Sequence, residues 1–333
     1  PNAAVAWIPL PALVSRTAIV RTLVAISLST LALVARAETE ITNTPEFEQC
    51  KQALGEKAVV AGVRESTVQS VMAGVVHLDR VIELDRRQPE FTTTFADYLN
   101  RRVNDTRVGK GRELLAEHRE LLDRVTAETG VPAPYLAAFW GLETNYGSYV
   151  GKMQVPSALA TLACDARRSS FFTEQWIAAL RIIDEGAIPA DQMEGSWAGA
   201  MGHVQFMPTV FLKHAVDADG DGRRDLWNSL PDAMMSAGRF LQSMGWHGDY
   251  RWGRGVLLPD NFDFSLAAGR RMPLADWRNM GITHAFGHSV ASEPLTAALT
   301  VHSRPQGPTF LAYTIVRVII GRTRTQLHPQ GRS

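Results

Sequence analysis

A short apolar helix that ends near a carboxylate constrains the fold of this chain more than any other stretch of its sequence. Pro134 favours a helix start, because the first helical turn needs no amide donor there, and Gly147 favours a left-handed stop. Leu136, Trp140 and Glu143 recur at helical spacing, so the glutamate shares the apolar face of the helix. The fold must therefore accommodate a carboxyl group beside its core.

Glu143 in this setting is a candidate general acid. Desolvation and the partial negative charge at a helix C-terminus both favour the protonated form of a carboxyl group. Glycoside cleavage requires such an acid to protonate the leaving oxygen. A structural glutamate bonded to a neighbouring amide or Arg has the same pattern, so the helix alone leaves both interpretations open.

Residues 1–37 have the composition of a secretory signal peptide. They contain no acidic residue, and basic residues precede an apolar run from Thr22 to Val34 that leads to a small-x-small cleavage site at Ala37. The apolar run is too short for a membrane-spanning helix. We therefore expect a mature chain that begins near Glu38 and lies in the periplasm, without the cleavage-site cysteine that a lipid anchor needs.

The charge of the chain argues against a nucleic-acid partner, and its two cysteines leave undecided whether a disulfide forms. Residues 1–37 carry three of the 34 Lys and Arg and none of the 34 Asp and Glu, so the mature chain has 31 basic against 34 acidic residues. A nucleic-acid partner would need a basic face, so we predict none. Cys50 and Cys164 are compatible with a disulfide and equally with two buried free thiols.

Helical periodicity dominates the chain as far as Gly245. One long amphipathic helix, with apolar residues from Leu114 to Val125 on one side, is predicted to end at Gly130. A short helix is predicted at residues 208–214 and a further one at about residues 232–244. Beyond them, three runs have the pattern of short strands between Gly/Pro turns and predict a small β subdomain: Arg251 to Phe264, Leu295 to Val301 and Thr309 to Ile320.

Residues 217–232 contain the first half of a calcium loop. Three Asp residues alternate along the chain and are followed by Gly222, which permits the sharp turn of an EF-hand. A solvated acidic turn is the alternative, but carboxylates this close repel one another without a cation. We predict a structural Ca²⁺ and no organic cofactor. The predicted ligands are the side chains of Asp217, Asp219, Asp221 and Asp232 and the backbone carbonyl of Arg223.

A Gly-rich segment, Gly195-Ser-Trp-Ala-Gly-Ala-Met-Gly202, has the composition of a sugar-binding cleft. Closely spaced small residues let a backbone approach a ligand, while Ser196, Gln205 and nearby aromatic residues supply donors and stacking faces. A bend that serves packing only would have the same composition.

Five motifs follow one another along the chain: Gly141-Leu-Glu-Thr-Asn-Tyr-Gly147, Ala160-Thr-Leu-Ala-Cys-Asp-Ala-Arg-Arg168, the Gly-rich segment, Gln205-Phe-Met-Pro208 and the Asp217 loop. In this order they closely resemble the lytic murein transglycosylase B family, which is similar to glycoside hydrolase family 103. The resemblance extends from Leu84 to about Ile320 and so covers nearly the whole mature chain.

The resemblance implies a mainly α fold of the α+β class. A goose-type-lysozyme-like catalytic core would be joined by a helical domain, a small β subdomain and an EF-hand-like calcium loop. The expected boundaries are a signal peptide at 1–37, the helical domain at 38–112, the core at 113–250 with the calcium loop at 217–232, the β subdomain at 251–320 and an atypical basic tail at 321–333.

The resemblance also implies an activity. Such enzymes cleave the β-1,4 bond between N-acetylmuramic acid (MurNAc) and N-acetylglucosamine (GlcNAc) in peptidoglycan and leave a 1,6-anhydroMurNAc end, with Glu143 acting first as acid and then as base. Peptidoglycan strands are thus the implied partner, and other cell-wall enzymes are further candidates. The matching substrate-binding positions are Ser196 and Gln205 near the acid, Arg167 and Arg168 at the peptide stem, and the cleft aromatic Tyr98.

The C-terminal residues depart from the family pattern. Thr323 and His328 stand where the family has Asn and Tyr, and Pro329 prevents the closing helix. Two alternatives to the transglycosylase therefore stay open: a catalytically impaired peptidoglycan-binding or scaffold protein, and a hydrolytic muramidase in which water replaces the muramic 6-hydroxyl. The joint presence of Glu143, Ser196 and Gln205 favours the transglycosylase.

Overall fold

A computed structural model describes residues 43–87, 100–246, 253–267, 270–290, 293–301 and 309–313. The predicted signal peptide, Tyr98 and the basic tail at 321–333 lie outside these residues. Within the described ranges, every helix is too short or too polar to cross a membrane.

Helices form most of the structure before residue 247. In chain order they are α1 (Pro45–Val60), α2 (Glu65–Gly74), α3 (Asp79–Arg87), α4 (Asp105–Glu117), α5 (Arg119–Thr129), α6 (Ala133–Thr144), α7 (Val155–Cys164), α8 (Ser169–Asp184), α9 (Pro208–His214) and α10 (Leu230–Ser243). Two short strands, β1 (Met153–Gln154) and β2 (Glu194–Gly195), form an antiparallel pair. The predicted helix at residues 208–214 is confirmed.

Side-chain caps fix where several of these helices begin. The Thr44 hydroxyl accepts a hydrogen bond from the amide of Phe47 at the start of α1, and the Asn104 side chain accepts one from the amide of Arg107 at the start of α4. Each cap satisfies one of the amides that a first helical turn leaves without an intrahelical acceptor.

The prediction of one long helix ending at Gly130 is wrong in one respect. The helix is interrupted at His118, whose φ of −101° and ψ of 25° are not helical. His118 therefore ends α4 and precedes α5. Gly130 ends α5 in the left-handed conformation, as predicted. Apolar spacing could not reveal the break, because Leu114 on α4 and Leu122 on α5 both reach the same core across it.

A five-stranded antiparallel sheet follows, with the order β4-β6-β7-β3-β5. Its strands are β3 (Gly253–Leu257), β4 (Arg271–Pro273), β5 (Thr283–His284), β6 (Thr296–Val301) and β7 (Thr309–Tyr313), and a short helix, α11 (Leu274–Asn279), follows β4. The register places Ala298 opposite Ala312. The predicted strands near Gly253, Thr296 and Thr309 are confirmed, although β3 is shorter than its predicted run. Residues 314–320 of the third predicted run lie outside the described residues.

Two hydrophobic cores are present among the described residues. The larger is built by the helices before residue 247 and contains the fully buried Trp176 of α8 and Leu159 of α7. The smaller lies under the sheet around Trp277, Leu299 and Leu311. The predicted fold class, mainly α with a small β part, is confirmed, while the expected domain boundaries stay predictions.

A disulfide joins α1 to the end of α7. Cys50 and Cys164 are bonded, with their Cα atoms 5.9 Å apart. The sequence left this pairing open because it carries no distance between residues 114 positions apart. The bond lies immediately before Asp165, at the start of the loop that carries Arg167 and Arg168.

Candidate functional site

Glu143 is the penultimate residue of α6 and is half-buried. The helix ends at Thr144, because Asn145 and Tyr146 both adopt positive φ angles, of 50° and 61°. The left-handed stop that the sequence predicted at Gly147 thus begins two residues earlier. Positive φ is strained for residues with a Cβ atom, so surrounding contacts must hold this turn.

Contacts with α4 hold the turn after Glu143. Nε of Arg107 donates a 3.1 Å hydrogen bond to the side-chain oxygen of Asn145. The Tyr146 ring packs edge-on against Trp140, with ring centroids 5.6 Å apart.

Burial raises the pKa of Tyr146, against a smaller opposing effect of the Arg107 charge. The phenol is therefore protonated and able to donate at neutral pH.

The Gly-rich segment begins at β2, which pairs with β1 through Gly195 and Met153. Ser196 closes the following turn, since its Oγ accepts a 3.0 Å hydrogen bond from the amide of Ala200 and its amide donates to the Ala200 oxygen. Gln205 is 9% exposed and has a φ of 50°. Its Nε2 donates to the backbone oxygens of Val150 and Gly202, at 2.9 Å and 3.0 Å.

His203 connects the Gly-rich segment to the helix that carries Glu143. Nε1 of Trp140 donates a 3.0 Å hydrogen bond to Nδ1 of His203. The Thr144 hydroxyl lies 3.0 Å from the backbone oxygen of His203 and also accepts the amide of Gly147. Burial lowers the pKa of His203, and the negative charge of Asp225 opposes this shift. The imidazole is therefore neutral at neutral pH.

Arg167 and Arg168 share one buried carboxylate. Asp85 of α3 is 4% exposed, and its two oxygens each contact one of the two guanidinium groups. The Arg168 guanidinium also lies over the ring of Phe172, 4.9 Å from its centroid, whereas the Arg167 side chain is 53% exposed. Two cations around one anion leave a net positive charge at the surface.

The acidic loop brings three of the predicted ligands together. One carboxylate oxygen from each of Asp217, Asp219 and Asp221 lies within 4.8 Å of the others, at exposed positions. A hydrogen bond from the Ser229 hydroxyl lowers the pKa of Asp219, so this carboxyl stays ionised. Oxygen donors of this kind suit a hard cation such as Ca²⁺, and the residues present therefore fit that ion.

Asp232 has a different environment from the exposed carboxylates of the loop. It is fully buried, and it accepts hydrogen bonds from the amides of Ala218 and Asp225. Burial raises the pKa of this carboxyl, while the same hydrogen bonds lower it. Asp232 thus ties the two ends of the loop together, and its role as an ion ligand stays a prediction. The backbone amide of Arg223 donates to Asp221.

The sequence singled out most of the residues in these clusters but missed two. His203 went unnoticed because its partner Trp140 lies 63 residues away, and no spacing rule links them. Asp85 went unnoticed because an Asp within a charged helix has the pattern of a solvated face. Tyr98 lies outside the described residues, so its place in a cleft stays a prediction.

The chain is similar to a known family model and to several solved structures. The family model of the transglycosylase SLT domain matches residues 46–322. The structure of SltB3 from Pseudomonas aeruginosa in complex with NAG-anhNAM-pentapeptide is 40% identical, covers 85% of this chain and 76% of that chain, and superposes with a TM-score of 0.81.

Two Escherichia coli proteins are also similar. The membrane-bound lytic murein transglycosylase B is 28% identical over 195 residues, which are 56% of this chain and 54% of that protein, so the match spans about half of this curated relative. The lytic transglycosylase Slt35, in a structure in complex with calcium, is 24% identical over 85% of this chain and 88% of that chain, and its TM-score of 0.67 shows a shared fold. The chain therefore belongs to the transglycosylase SLT domain family.

Proposed function

We propose that this protein is a lytic transglycosylase that cleaves the β-1,4 bond between MurNAc and GlcNAc in peptidoglycan. One observation carries the proposal: the hydroxyl of Thr144, next to Glu143, is hydrogen-bonded to the backbone oxygen of His203. His203 lies between Ser196 and Gln205 in the chain. A candidate acid and candidate sugar-binding groups are thus fixed to each other. The lytic transglycosylases among the similar proteins support the same activity.

Glu143 performs both proton transfers in the proposed reaction. Its carboxylic acid protonates the glycosidic oxygen, and the bond from that oxygen to the muramic C1 breaks. The muramic 6-hydroxyl oxygen then bonds to C1, and the Glu143 carboxylate accepts the hydroxyl proton. Glu143 returns to its acid form, no water is consumed, and the products are a 1,6-anhydroMurNAc end and a free GlcNAc 4-hydroxyl.

Ser196 and Gln205 are the proposed sugar contacts next to Glu143. Both side chains are held before any ligand binds, because Ser196 Oγ accepts the Ala200 amide and Gln205 Nε2 donates to the oxygens of Val150 and Gly202. Little conformational entropy is therefore lost on binding. Tyr98 is proposed as a further aromatic contact by the family resemblance alone.

Arg167 and Arg168 are proposed to face the peptide stem with different roles. Arg167 is the more exposed and offers N–H groups to a stem carboxylate, which Arg recognises in a bidentate manner. Arg168 is held between Asp85 and the ring of Phe172 and supports its neighbour. SltB3, whose structure contains a pentapeptide stem, is a similar protein that binds such a group.

Calcium is the proposed ion of the acidic loop, and the related Slt35 has a structure in complex with calcium. The side chains of Asp217, Asp219 and Asp221, the Arg223 carbonyl and Asp232 would hold it. Bound Ca²⁺ would supply positive charge that keeps the three exposed carboxylates together. A chelator should lower the melting temperature of the wild-type protein but leave an Asp219→Asn variant unaffected; an equal melting temperature with and without chelator would contradict the site.

The periplasm is the proposed location, because peptidoglycan lies there and residues 1–37 have the pattern of a secretory signal. The disulfide between Cys50 and Cys164 fits an oxidising compartment. Fractionation of cells that express the full chain tests this assignment.

Mass spectrometry of digested peptidoglycan tests the proposed activity. We expect products with anhydro ends, one water lighter than those of a muramidase, and no product from a Glu143→Gln variant that keeps its melting temperature and its binding to peptidoglycan. Reducing ends would instead identify a hydrolytic muramidase. Binding without any product from folded wild-type protein would identify a binding or scaffold protein.

A further inference from the structure

His203 lies where the two halves of the proposed active site meet. Its Nδ1 accepts the indole N–H of Trp140, and its backbone oxygen lies within hydrogen-bond distance of the Thr144 hydroxyl. Its ring also packs so closely on Gly147 that a Cβ atom there would overlap the imidazole. Trp140, Thr144 and Gly147, which surround Glu143 in the chain, thus all contact His203.

The backbone around His203 is also fixed by hydrogen bonds to other segments. The backbone amide of His203 donates a 2.8 Å hydrogen bond to the oxygen of Leu226, and the Gln205 side chain two residues later donates to the oxygen of Val150. The segment therefore cannot follow a displaced imidazole without losing backbone hydrogen bonds. A shift of the Trp140 indole would instead move α6, on which Glu143 lies one turn further along.

The hydrogen bond also defines the proton position on the ring. A tryptophan indole can only donate, so Nδ1 must carry a lone pair and the proton must lie on Nε2. Protonation of Nδ1 would place two donors against each other and leave the indole N–H of Trp140, a residue only 4% exposed, without its acceptor.

We propose that His203, as a neutral imidazole with its proton on Nε2, is a positioning residue that sets the distance between Glu143 and the sugar-binding residues Ser196 and Gln205. This inference rests on the proposed transglycosylase function. His203 itself need not touch the substrate, because it acts through Trp140 and the turn at Gly147.

Steady-state kinetics on purified peptidoglycan strands test the proposal. His203→Phe keeps a ring but removes the acceptor, and we expect its kcat to fall about tenfold to a hundredfold with KM within about twofold, since misplaced catalytic groups lose rate more than binding. His203→Gln retains an acceptor oxygen and should recover most of kcat. His214→Gln is the control, because this half-buried histidine of α9 packs on Phe240 and has no part in the site.

A double-mutant cycle and NMR make the outcome independent of the stability of one variant. Trp140→Phe removes the donor, so the double variant with His203→Phe should be no slower than either single variant. In the wild-type protein, ¹⁵N shifts of His203 should show a protonated Nε2 and an accepting Nδ1. Normal kcat in folded His203→Phe, additive losses in the cycle or a proton on Nδ1 at neutral pH would each overturn the proposal. An inactive wild-type protein would instead overturn the transglycosylase function, leaving the NMR result to decide the state of His203.

Discussion

The hydroxyl of Tyr146 donates a 2.9 Å hydrogen bond to the backbone oxygen of Arg107, and its ring fills a slot between two glycines of different helices. Gly111 lies on α4 and Gly141 on α6, and a Cβ atom at either would overlap the phenol; at Gly141 it would lie 2.6 Å from Cζ. The slot therefore holds the turn after Glu143 against α4.

Filling this slot should destabilise the protein. We expect Gly111→Ala to lower the free energy of unfolding by about 1–3 kcal/mol, because the added methyl group must displace the Tyr146 ring from a packed position. Gly109→Ala on the same helix meets no atom within 4 Å and should instead be neutral or stabilise by up to about 1 kcal/mol. Urea denaturation of both variants checks this, and equal effects at the two positions would contradict the role of the slot.

The sequence could predict the elements of this site but not their contacts. The Glu143 helix, the Gly-rich bend and the alternating Asp residues follow from local spacing, and local spacing determines helices and turns. The pairing of Gly111 with Tyr146, of Trp140 with His203 and of Asp85 with the two arginines depends on tertiary packing between segments far apart in the chain. The spacing of residues along the sequence does not predict which side chains of distant segments contact each other.

The Asp85 carboxylate should matter for both stability and substrate choice. Replacing it with Asn removes the charge shared by Arg167 and Arg168, and we expect the free energy of unfolding to fall by about 1–3 kcal/mol. Glu83→Gln on the same helix breaks an exposed pair with Arg80 and should cost less than about 1 kcal/mol. Chemical denaturation of the two variants compares these costs directly.

The same Asp85→Asn variant also tests the proposed stem contact. Asp85 orients the Arg167 guanidinium. If Arg167 binds a stem carboxylate in that orientation, loss of the orientation in the variant should raise KM for glycan strands that carry peptide stems and leave KM for stem-free strands unchanged. A lower KM for stem-bearing strands would show that the charge of Asp85 only competes with the stem. An equal rise on both substrates would show that the arginines support the fold and do not recognise the stem.

Two partly buried histidines should make stability depend on pH. Burial lowers the pKa of His203 and of His214, and Lys213 lowers the latter further. An unfolded histidine takes up a proton near pH 6.5. Below that pH the unfolded chain therefore binds protons that the folded chain does not, so the free energy of unfolding decreases as pH falls from the unfolded pKa through the folded pKa.

Denaturation at pH 7.5, 6.5 and 5.5 measures this dependence. One such group gives a slope of at most about 1.4 kcal/mol per pH unit, and the partial exposure of both rings reduces it. The double variant His203→Gln/His214→Gln cannot take up these protons in either state, so its free energy of unfolding should fall less between pH 6.5 and 5.5 than that of the wild type. In His214→Gln alone, the pH dependence that remains above that of the double variant comes from His203, whose imidazole accepts the indole N–H of Trp140. An identical slope in the wild type and the double variant would place the pH sensitivity in other groups.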